Sequence, residues 1–274
     1  MLAYLIHNID PFLIKFENDG PISGIRWYGV CYVISFLLVL YMLNLYTRTE
    51  RSPLTRENNM SFTTYAILGV LIGGRLGYML MYNLDVFLIH PLSIFAIWEG
   101  GMASHGGFLG ALIAILIFCK RYKINALQLG DICASIAPAG LFIGRIANFI
   151  NGELFGRITT VPWGIIFPQS APNVTKLYNI PARHPSQLYE AGAEGLLLFI
   201  YVQLRFWFSK NLSKGQLSGE FLILYSIARI FTELYREPDA PLILNLSRGQ
   251  FYSIFLAIIG VLLILYSKRK QRHR

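Results

Sequence analysis

The chain has 274 residues, a formal net charge of +9, 54% hydrophobic residues and only 14% charged ones, with a positive mean hydropathy of 0.48. A water-soluble domain of this length carries far more charge, so an integral membrane protein is expected. The basic excess lies mostly in short loops between apolar runs and in the tail Lys268-Arg269-Lys270-Gln271-Arg272-His273-Arg274, and no aromatic-interleaved basic face is present, which excludes a nucleic-acid partner.

The first residues, Met1 to His7, lack a basic n-region, and their apolar run breaks at Asp10-Pro11, so targeting is expected from the first span itself. A helix needs about 20 residues to cross a bilayer. On that measure the chain offers about seven spans, near 25–46, 62–82, 102–119, 128–150, 187–207, 217–235 and 249–267. The expected fold is all-α and polytopic, with residues 1–274 as a single transmembrane domain. Residues 88–98 are apolar but too short to span, and read as interfacial or re-entrant. Gly69, Gly73 and Gly77 repeat every four residues along span two, the pattern of close helix packing. Arg48, Arg51 and Arg56, then Lys120, Arg121 and Lys123, then Arg205, Lys210 and Lys214 all fall on the side of the basic tail. The N-terminus is therefore expected outside (periplasmic) and the C-terminus in the cytoplasm. Cys31, Cys119 and Cys133 lie in apolar surroundings without CxxC spacing and read as buried small hydrophobes.

Polar residues inside the apolar runs carry the functional signal. Arg145-Ile-Ala-Asn148-Phe-Ile-Asn151-Gly152-Glu153 closes span four with an arginine, two carboxamides and a carboxylate. An arginine at the bilayer centre costs about 2.5–3.5 kcal/mol on insertion scales, so Arg145 needs a partner or an anionic ligand. On a helix, Arg145, Asn148 and Gly152 share one face. Placed by depth, Arg26 and Tyr28, Arg75, His105, Asn148 to Glu153, His184 to Glu190, and Glu233 with Arg236 gather toward one side of the membrane. A polar cavity near the outer leaflet is expected. Arg145 and Arg236 with Asn148 and Asn151 resemble a phosphate clamp, because guanidinium offers planar bidentate donors. The rival reading of these arginines is internal pairing with Glu153, Glu190, Glu194 or Glu233. His105, among paired glycines, suits proton abstraction near neutral pH. No HExxH motif or carboxylate pair at ligand spacing occurs, so neither a metal nor a cofactor is expected.

The ordered set Trp27-Tyr28-Gly29, Gly73-Gly74-Arg75-Leu76-Gly77-Tyr78, Gly100 to Gly107, Gly144-Arg145 through Glu153, Arg183 through Glu190, and Arg236-Glu237-Pro238-Asp239 resembles the bacterial phosphatidylglycerol:prolipoprotein diacylglyceryl transferases over nearly the whole chain. Arg26 stands where many members have His. The resemblance implies a transferase of the bacterial inner membrane, with about seven spans and its active site toward the outer leaflet. It implies that a diacylglyceryl group passes from phosphatidylglycerol to the lipobox cysteine of a preprolipoprotein, giving a thioether and glycerol phosphate. His105, Arg145 and Arg236 are then the catalytic residues, with His105 as base for the thiol. Tyr28, Arg75, Asn148, Asn151, Gly152, Glu153, His184, Gln187, Tyr189, Glu190 and Glu233 are expected to bind substrate or orient the site. The rival of another class is a transporter or binding protein for an anionic lipid or solute, which also uses intramembrane arginines.

Overall fold

The apolar runs become helices. A computed structural model describes residues 4–16, 24–96, 101–174, 176–238 and 241–272, apart from the side chains of Ser104, His105 and Tyr178. In chain order these are β1 (Leu5–Ile6), β2 (Phe12–Lys15), β3 (Gly24–Arg26), α1 (Trp27–Arg48), α2 (Arg56–Tyr82), α3 (Leu84–Ile89), α4 (Ser104–Tyr122), α5 (Ala126–Asn151), β4 (Ile165–Ile166), α6 (Ser186–Glu190), α7 (Leu198–Phe208), α8 (Gln216–Thr232) and α9 (Arg248–Arg272). A π-helical turn, Ala191–Leu197, joins α6 to α7 without a break.

Four of these helices, α1, α2, α5 and α9, are long and apolar enough to cross a membrane. Helices also occupy the other three expected segments, as α4, the α6–α7 run and α8. The apolar stretch at 88–98 is the end of α3 followed by a 3-10 turn, Pro91–Phe95. Its Leu88, Ile89, Leu92 and Phe95 are exposed, while Ile97 and Trp98 fall outside the described residues.

Contacts divide the chain into two units, one of residues 1–14, 25–35 and 130–274, the other of residues 15–24 and 36–129. In the second unit α2 lies against α4 through glycine. A Cβ on Gly69 would stand 2.6 Å from the Gly110 carbonyl oxygen, and one on Gly77 would stand 2.8 Å from Gly106 Cα. The four-residue glycine repeat is thus a packing seam, as expected of helices that must approach closely where hydrocarbon offers no hydrophobic drive. Below the seam Phe118 meets Phe62, Tyr65 and Tyr122. Asn59, fully buried, ties α2 to α1 by donating to Asn44 Oδ1 and Thr47 Oγ1.

In the first unit α8 and α9 close on a second small-residue contact, since a Cβ on Gly219 would come within 2.6 Å of the Gly260 carbonyl oxygen. Helix α9 buries Ser253, Gly260 and Ser267 and turns Ile258, Leu262 and Leu265 outward, the reverse of a water-soluble helix. Leu198, Val202 and Leu217 form a core flanked by Phe206, Phe221, Leu224 and Tyr225. Arg205 on α7 grips Glu220 on α8 by two donors, Nε at 2.8 Å and Nη2 at 2.6 Å. The start of α8 is capped from a distance. Asp131 on α5 accepts the Gly215 N–H at 2.6 Å, the Ser218 N–H at 2.8 Å and the Ser218 hydroxyl at 2.8 Å. An Asp131→Ala protein is expected to lose about 1–2 kcal/mol, the worth of a strong N-cap, read as a lower Tm in detergent with helix content unchanged. An unshifted Tm would assign the cap to water instead.

Candidate functional site

Three helices of the first unit bring charge into an apolar interior. Arg145 sits in the last turns of α5, Glu190 closes α6, Glu194 lies inside the π turn, and Arg229 stands in the last turn of α8 with Glu233 and Arg236 just beyond it. Residues four apart share a helix face. Glu190 and Glu194 therefore meet Arg145 together, and Arg229 and Glu233 meet each other.

The resulting network is dense. Arg145 pairs with Glu190 at 2.8 Å and with Glu194 at 3.2 Å. Arg229 reaches Glu190 at 3.1 Å and Glu194 at 3.2 Å, and also holds Glu233. Arg236 reaches Glu190 at 3.3 Å and Glu233 at 4.0 Å. The Thr232 hydroxyl donates to Glu194 at 2.9 Å. Glu190, Glu194, Glu233 and Arg236 are all buried. Three guanidinium groups thus face three carboxylates and the charges cancel, which is what an apolar interior requires of buried ions. Arg145 is the outlier. It is the most open of the three arginines, with 16% of its side chain exposed against 11% for Arg229 and 6% for Arg236.

A second cluster gathers around Glu153. Helix α5 ends at Asn151, Gly152 turns the chain at φ +66°, and Leu154 follows in the same left-handed region. Gly152 therefore lies beyond the helix, and the common face expected for three residues holds for Arg145 and Asn148 only. A side chain at Gly152 would also meet Gln169 Oε1 at 2.8 Å and the His7 ring at 3.1 Å. Asn148 and Asn151 turn to the Glu153 carboxylate, at 2.8 and 3.4 Å, while Gln187 Nε2 donates to the Glu153 carbonyl at 2.7 Å. In the clamp drawn from sequence these two amides flanked Arg145, whereas here they hold Glu153. His7, buried, pins β1 beside this turn: its Nε2 lies 2.7 Å from the Phe149 carbonyl oxygen and its ring stacks on Phe167. Tyr28, at the head of α1, is close enough to feel the charges of Glu153 and Arg145 and rests on Tyr32. Arg26 beside it lies over the Phe12 ring.

His184 and Tyr189 form a third group. Trp163 Nε1–H donates to Tyr189 Oη at 2.7 Å, and that hydroxyl lies 3.1 Å from His184 Nδ1. Indole only donates, so the tyrosine proton points to Nδ1 and the ring proton of His184 sits on Nε2. Burial pushes the imidazole below its ordinary range, which keeps it neutral at pH 7. Tyr235 packs on both rings.

The second unit carries the other two expected site residues. Buried Arg75 donates to three backbone carbonyls, of Ile94 at 3.0 Å, Gly101 at 3.2 Å and Ser93 at 2.6 Å. It fastens the chain on either side of residues 97–100. His105 lies in the first turn of α4, and its side chain lies outside the described residues.

Internal pairing of the arginines with Glu190, Glu194 and Glu233 is what the fold shows, and Arg229, which pairs with the same three carboxylates, is the member of the network that the sequence reading does not name. The missed signal is Arg229-x-x-x-Glu233-x-x-Arg236, three charges on one face of an apolar helix and its extension. Gly249, at the start of α9, is a second. A Cβ there would press on the Glu233 carboxylate and come within 3.0 Å of Arg229 Nε. Both neighbours are ends of flexible side chains, so Gly249→Ala is expected to leave the fold intact and displace the pair. Turnover should fall about tenfold or more, given what small misplacements cost, with Tm preserved. Full turnover would mean that Arg229 tolerates the shift.

The family described as prolipoprotein diacylglyceryl transferase matches residues 15–266 of the chain. Proteins named phosphatidylglycerol–prolipoprotein diacylglyceryl transferase are similar over nearly full length. The one from Rickettsia akari is 43% identical over 267 residues, covering 96% of this chain and 98% of that protein. The one from Rickettsia felis is 43% identical over the same shares. The one from Cereibacter sphaeroides is 41% identical over 283 residues, covering 96% and 97%.

Proposed function

This chain belongs to the prolipoprotein diacylglyceryl transferase family, and from that premise we propose that it moves the diacylglyceryl group of phosphatidylglycerol onto the lipobox cysteine of preprolipoproteins, the first step of lipoprotein maturation. The thiol sulfur attacks the glyceryl carbon that carries the phosphate ester. A C–S bond forms, the C–O bond breaks, and glycerol phosphate leaves with the electron pair on its oxygen. The thiol proton passes to a base. We assign that role to His105 on the strength of the family resemblance.

One observation carries the reading: three guanidinium groups converge in an apolar interior where a departing phosphate needs positive charge. Arg145 is the arm that turns to substrate. It is the most exposed, and Arg229 and Arg236 stay bound to Glu190 and Glu233 when it swings. Those two arginines then hold the carboxylates that Arg145 releases. Asn148, Gly152 and Glu153 shape the wall beside it, and Tyr28, Glu190 and Glu233 orient the charges. His184 and Tyr189 form a neutral rim, and Arg75 acts through the backbone it fastens. We read residues 1–274 as one transferase domain of seven spans in the bacterial inner membrane. The N-terminus is then periplasmic, the tail around Lys268 and Arg269 cytoplasmic, and the site open to the outer leaflet.

The test is purified protein in detergent with phosphatidylglycerol and a lipobox peptide, following peptide mass and released glycerol phosphate. A diacylglyceryl mass gain that disappears with a Cys-to-Ser peptide is the expected result. A folded protein that binds the lipid and transfers nothing would replace the transferase with an anionic-lipid binding or transport role.

A further inference from the structure

Buried polar atoms in folded proteins almost always have a partner, so an orphan beside a site is a place where a ligand can supply one. Among the described residues five buried side-chain atoms lack a hydrogen bond, and two of them, Gln187 Oε1 and Asn151 Oδ1, belong to the cluster around Glu153. Both amides are oriented by their nitrogen ends: Gln187 Nε2 donates to the Glu153 carbonyl and Asn151 Nδ2 to its carboxylate. Flipping either amide would aim oxygen at oxygen, so the orphans are acceptors. Gln187 is only 1% exposed, so bulk solvent does not reach it.

Their placement matters as much as their chemistry. Gln187 lies three residues before Glu190 on α6, and Asn151 lies six residues beyond Arg145 on α5. Arg145 and Glu190 are themselves paired. Measured along the helix axes, Asn151 therefore lies about 9 Å beyond Arg145 on α5 and Gln187 about 4.5 Å before Glu190 on α6, at 1.5 Å per residue, and both amides meet at Glu153. A phosphate at Arg145 with a short hydroxylated tail would put O–H donors at the acceptor end.

We propose that Gln187 and Asn151 read the headgroup of the lipid donor by accepting hydrogen bonds from its free hydroxyls, and so select a polyol phosphodiester over a headgroup without hydroxyls. The proposal rests on the transferase reading and adds the selection rule to it. A site built to accept from a hydroxyl rejects an analogue lacking it, because the acceptor is then left buried and unpaired.

The experiment compares two donors on the full-length protein in mixed micelles with one lipobox peptide. One is phosphatidylglycerol; the other is phosphatidylpropanol, which keeps the phosphodiester, its charge and three headgroup carbons but has no hydroxyl. The wild-type protein should use phosphatidylpropanol with kcat/KM about tenfold lower or less, mainly through KM. Gln187→Leu and, on a separate helix, Asn151→Ala also give up a bond to Glu153 and so slow both donors, but should lose more on phosphatidylglycerol than on phosphatidylpropanol and so narrow the gap. Equal use of both donors by the wild-type protein overturns the proposal, as does a variant that slows both donors alike and keeps their ratio. If Gln187→Leu does not fold, the wild-type comparison and Asn151→Ala still decide. Transfer from neither donor overturns the transferase reading instead, so the two failures are distinct.

Discussion

An Arg145→Ala protein is expected to insert and fold yet transfer diacylglyceryl about 10²–10³-fold more slowly, the loss seen when one preorganised donor to a developing anion is removed. The direction follows from charge. Wild-type Arg145 shares Glu190 and Glu194 with Arg229, so its removal leaves each carboxylate with an arginine. Because Arg145 is the most open of the three, the unbalanced charge lies nearest solvent and costs less than the loss of a fully buried hub, so the fold survives. What disappears is the most open positive charge in the network, the one able to meet a phosphate. Arg145→Lys tests the geometry. A lysine keeps the charge but has no planar fork to hold two oxygens at once, so it should restore only part of the rate. Near-normal transfer by a properly inserted Arg145→Ala protein would move the phosphate to Arg229 and Arg236.

Removing Glu190 should have the opposite character, a loss of stability before any question of rate. This carboxylate is the hub, with Arg145 at 2.8 Å, Arg229 at 3.1 Å and Arg236 at 3.3 Å, and it is buried. Without it three guanidinium groups face two carboxylates in a medium that penalises net charge. Breaking a buried pair in this way costs about 3–5 kcal/mol. Glu190→Ala is therefore expected to yield little folded protein, seen as a large fall in Tm and in the monodisperse fraction after detergent extraction. Pairing it with Arg236→Met restores neutrality and should recover part of that loss. A Glu190→Ala protein as stable as the wild type would mean that water or lipid phosphate already balances the arginines.

Much of this arrangement is legible in the sequence, for a physical reason. An arginine or glutamate in hydrocarbon is conspicuous, and Arg145, Glu190, Glu233 and Arg236 all meet in one network as the depth argument groups them. Helix periodicity says which residues of one helix look the same way, but not which helix they look at. For that reason Asn148 and Asn151 read as arms of an arginine clamp, while the fold turns them to Glu153 through a glycine turn that periodicity does not foresee. Arg75 has the same ambiguity, resolved by three backbone carbonyls that only a folded chain brings together. Arg229 does not stand out in the sequence, because Glu233 and Arg236 mark the polar end of its helix, although its own charge is as costly in lipid as theirs.

The π turn at Ala191–Leu197 has a consequence for the phase of the whole segment. One residue more than an α-helix needs is accommodated there, so the part before it and the part after it are out of step by about 100°, one residue's rotation. Gln187 and Glu190 precede the turn, and Leu198 and Val202, which pack in the core, follow it. Gly195 fixes the point of adjustment, since a Cβ there would come within 2.6 Å of Phe142 Cβ on α5. Excising a single residue from the turn would leave a continuous helix with two correct halves, of which only one at a time could face its proper neighbour.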